Sequence, residues 1–336
     1  MPTIRDVAYQ CGMSISTVSK VFNGYSDISE ATREQVFEAA RAIGYRPNAL
    51  ARALKTKRTY NLGVLFVDEN TSGLTHPFFS GMLNAFKDEA EKSGYDITFI
   101  NHNIGGAPMT YLEHCQYRNV DGVCAACIDF YSDEMKALAA SDIPCVTIDY
   151  SFDGCISVCS DNASGIHTLV DQAVAQGHQR IAYIHGQRNS DVTEIRLNAF
   201  LEAMREHDLA LPEGYVAEGR YGDNATVYAL VRRLLERADR PTCILLPDDF
   251  CCFGARDAIR SLGLKMPEDV SMLGYDGIEL TQYLHPRLTT IRQDGPAMGV
   301  QAARKLIARL ERAGGALSSV MVPVSLIPGE TLAPAR

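Results

Sequence analysis

The chain has 336 residues, of which 46% are hydrophobic and 22% charged, and its formal charge is −9. This length is enough for two or three domains with substantial cores. No run of about 18 apolar residues predicts a membrane span, and the start MPTIRD lacks the basic and apolar regions of a secretory signal. Ten cysteines are scattered without a disulfide framework, which fits a reducing compartment. We therefore expect a cytoplasmic protein without a membrane segment.

The charge is divided unevenly along the chain. Residues 1–60 carry nine Lys or Arg against five Asp or Glu, a balance of +4. The remaining residues carry 23 basic and 36 acidic side chains, a balance of −13. A basic segment on an acidic body suits contact with nucleic-acid phosphates by that segment alone, although basic clusters are more often ordinary solvated surface.

Residues 3–22, TIRDVAYQCGMSISTVSKVF, predict two short helices joined by a turn. Thr3 can cap the first helix and Ser14 the second, and Gly12 breaks the pattern between them. The apolar positions at helical spacing are Ile4, Val7, Ala8 and Cys11, then Val18, Val21 and Phe22. This pattern is typical of a helix-turn-helix, whose second helix can lie in the DNA major groove. An ordinary helical hairpin explains the apolar faces but not the small, polar outer face of the second helix.

The sequence after residue 28 predicts first a third helix and then an α/β region. The third helix is expected over 29–43. The apolar runs that predict strands are 62–67, 97–100, 120–128, 145–148, 156–159, 181–184, 243–246, 270–273 and 320–326. The stretches that predict helices among them are 77–93, 164–175, 194–206, 227–237, 250–262 and 298–312. Continuous apolar strands separated by helices indicate parallel sheets covered on both faces, and the length of this region predicts two α/β lobes.

Acidic residues follow several of the predicted strands. Asp149 follows CVTI, Asp248 and Asp249 follow ILLP, and Asp276 follows MLGY. Ligands of open α/β sheets bind at the carboxyl ends of the strands, so these carboxylates are candidate ligand contacts. Helix capping is about as good an explanation for any one of them.

Four separated motifs resemble the lactose/galactose repressor (LacI/GalR) family of bacterial transcription regulators. They are DVAYQCGMSISTVSKVFN with TREQVFEAARAIGYRPNALARAL, then GHQRIAYIHG at 177–186, MPEDVSMLGYDG at 266–277 and HPRLTTIRQD at 285–294. The resemblance runs from end to end of the chain. It implies an all-α helix-turn-helix DNA-binding domain with a hinge helix, followed by a two-lobe α/β effector domain of the periplasmic-binding-protein type with parallel sheets.

The resemblance also implies domain limits. Residues 1–46 would bind DNA, 47–60 would form the hinge helix and linker, and 61–336 would bind effector and dimerise. Lobe 1 would comprise about 61–161 and 291–322, and lobe 2 about 162–290 and 323–336, with crossings near Asp161, Thr290 and Val322. A hinge helix over 48–55 would order on DNA, where Leu54 would enter the minor groove and bend the duplex. Without the family, packing of Leu50 and Leu54 on a neighbouring domain is the simpler interpretation.

DNA contacts are carried over from the family residue by residue. Base contacts are expected from Ile15, Ser16, Lys20, Leu54 and Lys55, and phosphate contacts from Thr3, Ser14, Thr17, Asn23 and Tyr45. Lys20 stands where relatives usually have arginine or histidine, and lysine can reach guanine but lacks the planar fork. We expect a homodimer on a near-palindromic operator in double-stranded DNA. The end LAPAR adds no leucine heptad, so assembly beyond a dimer is not expected.

Effector contacts are carried over in the same way, to Phe78, Phe79, Asp149, Arg196, Asn224, Asp248 and Asp276. Asp248 stands where relatives commonly have asparagine, and Asn224 and Gly295 stand where relatives often have aromatic residues. A pocket that gains a carboxylate and loses rings should prefer a ligand rich in hydroxyl groups. We therefore expect a sugar or sugar derivative as effector, which would place the protein in carbohydrate metabolism.

No motif predicts catalysis, a cofactor or a metal site. The CxxC spacing of Cys124 and Cys127 lies in a predicted strand, where the two side chains would face opposite sides. The sequence contains no GxGxxG, P-loop, HExxH or GxSxG motif. We expect a cytoplasmic, nucleoid-associated repressor rather than an enzyme. The alternatives are a family member whose DNA binding is driven by a phosphoprotein corepressor and, outside the family, a solute receptor or α/β enzyme with a helical prefix.

Overall fold

The structure, a computed structural model, describes residues 2–22, 24–46, 58–67, 73–311 and 319–336. The chain divides into two compact units, Met1–Tyr60 (unit 1) and Asn61–Arg336 (unit 2). The predicted hinge helix with Leu54 and Lys55, and the predicted phosphate contact Asn23, lie outside the described residues.

Unit 1 contains three helices, α1 (Ile4–Cys11), α2 (Ile15–Phe22) and α3 (Glu30–Ala42). Each begins at a residue that can cap it. The Thr3 amide and hydroxyl both donate to the Asp6 carboxylate, at 2.7 and 2.8 Å, and the Ser14 hydroxyl accepts from the Thr17 amide at 3.0 Å. Gly12 ends α1 with a φ of 66°, a conformation that glycine adopts without strain.

The helices of unit 1 enclose one small apolar core. Its buried members are Val7, Ala8, Cys11, Val18, Val21, Val36, Ala39 and Ala40. The Gln35 amide donates to the Cys11 carbonyl at 3.1 Å and so ties α3 to the end of α1. The apolar positions of the first two predicted helices thus face this core, which leaves the other side of α2 outward.

Unit 2 alternates strands and helices along almost its whole length. In chain order its elements are β1 (Asn61–Phe66), α4 (Pro77–Lys92), β2 (Asp96–Ile100), β3 (Asn103–Ile104), β4 (Ala107–Pro108), α5 (Tyr111–Tyr117), β5 (Gly122–Ala126), α6 (Asp133–Ala139), β6 (Cys145–Ile148), β7 (Ile156–Ser160), α7 (Asn162–Ala175), β8 (Ile181–His185), α8 (Asp191–Glu206), β9 (Val216–Glu218), α9 (Asn224–Leu235), β10 (Cys243–Leu245), α10 (Cys252–Ser261), β11 (Ser271–Asp276), β12 (Thr289–Arg292), α11 (Gly295–Glu311), β13 (Val320–Val322) and β14 (Ser325–Ile327). Short 3-10 turns cover Gly73–Thr75 and Glu279–Tyr283.

Twelve of the described strands form two six-stranded sheets, one in each lobe, and β3 pairs with β4 in a separate antiparallel sheet. The order in lobe 1 is β13-β7-β6-β5-β1-β2, and the order in lobe 2 is β14-β12-β11-β10-β8-β9. Neighbouring strands within both sheets run parallel except β14, which is antiparallel to β12. The two-lobe α/β fold with parallel sheets expected from the sequence is confirmed.

The chain passes between the lobes at three places. It crosses after β7, after β12 and between β13 and β14. The crossing expected near Thr290 lies later, at residues 293–294, because Thr290 sits inside β12 and pairs with Gly274 and Ile327 of the lobe 2 sheet. The run 320–326 is not one strand, since Pro323 separates β13 in one sheet from β14 in the other.

Helices α4 and α11 pack closely in lobe 1, and two glycines show how closely. A Cβ atom on Gly299 of α11 would lie 2.1 Å from the Met82 carbonyl oxygen of α4. A Cβ atom on Gly81 of α4 would meet only Pro296, at 3.8 Å. The backbones therefore touch at Gly299 but leave room at Gly81.

We expect Gly299→Ala to destabilise unit 2 by about 1–3 kcal/mol, because the added methyl must push the two helices apart. Gly81→Ala, on the facing helix, should instead stabilise it by about 0.5–1 kcal/mol, since alanine loses less backbone entropy in a helix. Urea unfolding of both variants measures these changes. Equal midpoints for the two would contradict the close approach.

Within the described ranges, no helix combines the length and the apolar character that crossing a bilayer requires.

Candidate functional site

The outer face of α2 carries the predicted base contacts that the structure describes. Ile15 is 46% exposed, Ser16 is exposed and Lys20 is half-buried, while Val18 between them is buried. Ser14 and Thr17 lie at the start of the same helix, where their hydroxyl groups are 2.8 Å apart. Amide groups and hydroxyls at a helix start suit a phosphate. The face can therefore present both base-reading and phosphate-binding groups.

Lys20 has a partner that the sequence did not indicate. Its ammonium group lies 2.6 Å from the Asp27 carboxylate and 6.0 Å from the centre of the Tyr25 ring. The hydrogen bond to Asp27 raises the pKa of Lys20. An exposed ion pair of this kind contributes little to stability, so Lys20 can exchange Asp27 for a guanine at small cost.

The remaining predicted phosphate contacts take part in the structure of unit 1 itself. The Thr3 hydroxyl donates to Asp6. The Tyr45 ring is half-buried against Phe22, with ring centres 5.4 Å apart, and burial raises the pKa of the Tyr45 hydroxyl. DNA contact by both residues stays a prediction.

The lobes of unit 2 enclose a cavity of about 440 Å³ at the carboxyl ends of their strands. All seven residues predicted to contact an effector line it, namely Phe78, Phe79, Asp149, Arg196, Asn224, Asp248 and Asp276. Residues from both lobes meet there because parallel strands end at one edge of each sheet and the two edges face each other. The volume suits a small molecule.

Arg196 of α8 is the central cation of the cavity. It is 3% exposed, and its guanidinium lies 3.6 Å from the centre of the Tyr275 ring. Its Nε donates to the Asn162 side-chain oxygen at 2.8 Å, and one terminal nitrogen donates to the Pro247 carbonyl at 3.4 Å. These contacts fix the plane of the guanidinium and leave further N–H groups for a ligand.

Two carboxylates lie near Arg196, one from each lobe. Asp149 accepts from the Ser160 amide at 2.8 Å, and Asp276 accepts from the Gln293 side chain at 2.7 Å. Burial raises the pKa of each carboxyl to about 6, and the charge of Arg196 opposes the rise. Both have positive φ, 56° and 109°, which is unfavourable without a structural or functional reason.

Asp248 and Asn224 have structural partners as well. The two oxygens of Asp248 accept from the amides of Cys251 and Gly222, at 2.9 and 2.5 Å, so this aspartate holds the turn before α10, whose N-cap is Cys251. Burial, followed by repulsion from Asp276, raises the pKa of Asp248 to about 6. The Asn224 side-chain oxygen accepts from the Gly254 amide at 2.6 Å.

Asp249, the neighbouring candidate, is a structural residue of lobe 2. Its oxygens accept from the Thr290 hydroxyl at 2.6 Å and from the Ile278 amide at 2.8 Å. Burial raises its pKa well above the usual value. The strand pattern alone could not tell which of Asp248 and Asp249 faces a ligand, because the two are adjacent and follow the same strand.

Positions 224 and 295 lack rings, as the sequence indicated, but the cavity is not without them. The predicted contacts Phe78 and Phe79 line it, and so do five further rings, Phe130, Tyr131, Tyr150, Tyr221 and Phe250. Phe130 and Tyr150 are stacked, with centres 4.7 Å apart and planes at 6°. Even at Gly295 the space is filled, because a Cβ there would lie 2.9 Å from the Phe78 carbonyl oxygen. The absence of rings at positions 224 and 295 therefore does not disfavour a flat heterocycle as ligand.

Two contacts between residues that line the cavity join the lobes. The Tyr131 hydroxyl in lobe 1 donates to the Asp191 carboxylate at the start of α8 in lobe 2. The rings of His76 and Phe250 meet with centres 5.5 Å apart. These residues lie in loops or at helix ends, where sequence periodicity carries no signal.

Of the CxxC pair, Cys124 is buried within β5, whereas Cys127 follows the end of this strand and is half-buried. Burial raises the pKa of Cys124, in the middle of β5, to about 12, and that of Cys252 to about 12, so neither thiol is activated. In the parts of the chain that the structure describes, no group of three or more His, Cys, Asp or Glu side chains is placed to hold a metal ion.

Two family profiles match this chain. Residues 3–48 match "Bacterial regulatory proteins, lacI family", and residues 170–332 match "Periplasmic binding protein-like domain". The first covers the three helices of unit 1, and the second covers most of lobe 2 with the last strands of both sheets.

Two relatives described as the HTH-type transcriptional repressor PurR align with nearly the whole chain. The relative from Vibrio vulnificus (strain CMCP6) is 32% identical over 320 residues, which cover 93% of this chain and 92% of the relative. The relative from Histophilus somni (strain 129Pt) is 30% identical over 318 residues, 94% of each chain.

Solved structures agree in fold over the same length. The Lac repressor dimer bound to operator and the anti-inducer ONPF is similar with a TM-score of 0.81 and 27% identity, over 99% of each chain. The complex of the transcriptional regulator CelR with cellobiose is similar with a TM-score of 0.72 and 25% identity, over 98% of this chain and 100% of that one.

Proposed function

Since this chain belongs to the LacI family of bacterial regulatory proteins, we propose that it represses transcription as a homodimer on operator DNA and that a small polar ligand controls it. The observation that carries the proposal is the presence of two sites of different chemistry, one in each unit. One is the outer face of α2 and the other is the polar cavity between the lobes. We further propose the limits 1–46, 47–60 and 61–336 for the DNA-binding domain, the hinge and the effector domain.

The features of unit 1 support DNA reading by α2. Apolar side chains hold the helix against α1 and α3, so its position does not depend on the residues that would touch bases. Ile15, Ser16 and Lys20 are then available for base edges in the major groove. The charge balance of +4 over residues 1–60 supports phosphate contact, and that of −13 elsewhere keeps the rest of the chain off the duplex.

The test is selection of bound duplexes from a random DNA library with the full-length chain. We expect a near-palindromic site whose affinity falls steeply with salt. Lys20→Ala should weaken binding to that site about 10-fold and relax preference at one base pair of each half-site. Arg41→Ala removes the same charge from the exposed side of α3 and is the matched control. Failure to enrich any sequence, or equal effects of the two substitutions, would count against reading by α2.

The ligand site supports control through the crossings between the lobes. Each charged residue of the cavity centre hydrogen-bonds to a crossing or to the residue next to it. Asp149 accepts from Ser160, Arg196 donates to Asn162, and Asp276 accepts from Gln293. A ligand that binds these groups therefore also acts on the segments about which the lobes move. Ligand and operator would shift the same population of lobe arrangements.

The ligand proposed from the sequence is a sugar or sugar derivative. The cellobiose complex of a regulator 25% identical to this chain supports it. The paired carboxylates and Arg196 suit hydroxyl groups, and the rings suit the apolar face of a pyranose. They suit a flat heterocycle equally well.

A further inference from the structure

We infer that the cavity between the lobes selects its ligand by charge. The inference rests on the proposed function of this cavity as the effector site. The ligand class is an uncharged or cationic ring compound with O–H or N–H donors along its edge. Phosphorylated and carboxylated forms of the same compound are excluded. This class includes pyranose sugars, amino sugars and purine bases, which share that chemistry.

The charges that line the cavity are unbalanced. Five carboxylates line it, namely Asp129, Asp149, Asp191, Asp248 and Asp276. Among the described lining residues, Arg196 is the one guanidinium and no lysine accompanies it. An anionic ligand would enter a region whose own charge is already negative, and burial strengthens the repulsion.

The charge of Arg196 and one face of its guanidinium are already engaged by the protein. Its charge already opposes the protonation of Asp149 and Asp276. One face of its guanidinium lies on the Tyr275 ring, and two of its nitrogens donate to Asn162 and Pro247. The remaining N–H groups can hold a hydroxyl oxygen, which brings no charge.

Three amides at or before helix starts, a usual kind of anion site, already bind the chain's own side chains. At the start of α8 the Thr193 amide donates to the Ser190 hydroxyl at 3.3 Å, and Asp191 adds a carboxylate to the same first turn. Asp223 accepts from the Thr226 amide at 3.0 Å at the start of α9. Asp248 accepts from the Cys251 amide before α10. A phosphate would have to displace a carboxylate from the last two amides, and at α8 it would lie beside one.

Two of the remaining polar groups are carboxylates that can accept hydrogen bonds from a ligand. Among the described residues, Asp149 and Asp276 each hold one partner on one oxygen, which leaves the second oxygen for a ligand donor. The stacked pair Phe130 and Tyr150 supplies an apolar wall. A ring with donors on its edge and an apolar face matches both features.

The inference is tested by calorimetric titration of the full-length protein with matched compounds. One series contains pyranose sugars with their amino and phosphorylated forms, and the other contains purine bases with their nucleosides and nucleoside monophosphates. We expect a neutral or cationic member of one series to bind, and its phosphorylated form to bind at least about 100-fold more weakly. The series that binds identifies the source. A phosphorylated form that binds as tightly as its neutral parent would overturn the inference.

Operator binding, measured on the same sample, distinguishes failure of the proposed ligand class from failure of the proposed function. If neither series binds while operator binding is intact, the ligand class is wrong and the DNA-binding regulator stands. If operator binding is absent as well, the proposed function fails.

Variants at two of the lining carboxylates supply a second readout. The double substitution of Asp129 and Asp191 by asparagine removes two charges and keeps side chains of similar size. The ratio of the affinities for a neutral compound and its phosphorylated form should fall about 10-fold, whatever the effect of the substitutions on the affinity for the neutral compound itself. Asp171→Asn removes a charge from the outer surface, where Asp171 pairs with His207, and should leave the ratio as it is. A purely structural role of Asp129 and Asp191 would not change this ratio.

Discussion

Replacing Arg196 with alanine is expected to destabilise unit 2 by about 3–5 kcal/mol and to weaken ligand binding by more than about 100-fold. The substitution removes a buried cation and its stacking on Tyr275, and it leaves the Asn162 side chain without this donor. It also leaves Asp149 and Asp276 without the positive charge that favours their ionised forms. Urea unfolding and calorimetry measure the two effects separately.

The control for this substitution is Arg188→Ala. Arg188, just before α8, forms an ion pair at 2.7 Å with Glu194, which lies within that helix. Exposed pairs of this kind contribute only about 0–1 kcal/mol to the free energy of unfolding. The two variants lose the same type of side chain from the same part of lobe 2. Similar losses of stability in both would show that Arg196 is not the buried centre of the cavity.

Replacing Asp276 with asparagine is expected to stabilise unit 2 relative to the wild type at neutral pH but not at acid pH. The pKa of Asp276 is 3.8 in the unperturbed group and about 6 in the folded protein, chiefly because of burial. A carboxyl whose pKa is raised on folding contributes stability below the lower value and loses it as the pH rises through the higher one. Asparagine does not ionise and keeps an oxygen for Gln293.

The measurement is the free energy of unfolding of both proteins between about pH 4.5 and 7.5. The difference between Asp276→Asn and the wild type should grow by about 2 kcal/mol over this window, at 1.36 kcal/mol per unit of pKa. Asp257→Asn is the control for removing a carboxyl outside the cavity, because Asp257 lies on the surface beside Arg260. A difference that shrinks with rising pH would mean that folding lowers the pKa of Asp276 instead of raising it.

The sequence predicted the fold best where one residue pattern repeats over a whole element. The apolar runs at 62–67 and 145–148 correspond to β1 and β6, because strands buried on both faces are apolar throughout. Strand β12 was missed because its buried threonines read as polar, and α5 and α6 because they are short. The capping box of Thr110 and Glu113 could have indicated α5.

The cavity was predictable only in part, for a geometric reason. The carboxyl ends of parallel strands lie at one edge, so Asp149 and Asp276 could be placed from their position after apolar runs. Tyr131 and Tyr150 follow β5 and β6 in loops, and Gln293 lies at a crossing, where no period constrains the side chains. Phe130 and Phe250 also lie outside regular strands, so the family positions 224 and 295 alone do not describe the rings of the cavity.

The central claim is that one chain couples operator binding in unit 1 to ligand binding in unit 2, and the most direct test is their linkage. The measurement is operator affinity with and without the tightest compound of the matched series, together with that compound's affinity with and without operator. The factor by which the compound changes operator affinity must equal the factor by which operator changes the affinity for the compound. We expect this factor to be about 5 to 150. Operator affinity that does not change when the cavity is saturated would contradict the claim, and a change that requires an added phosphoprotein instead would favour a protein corepressor.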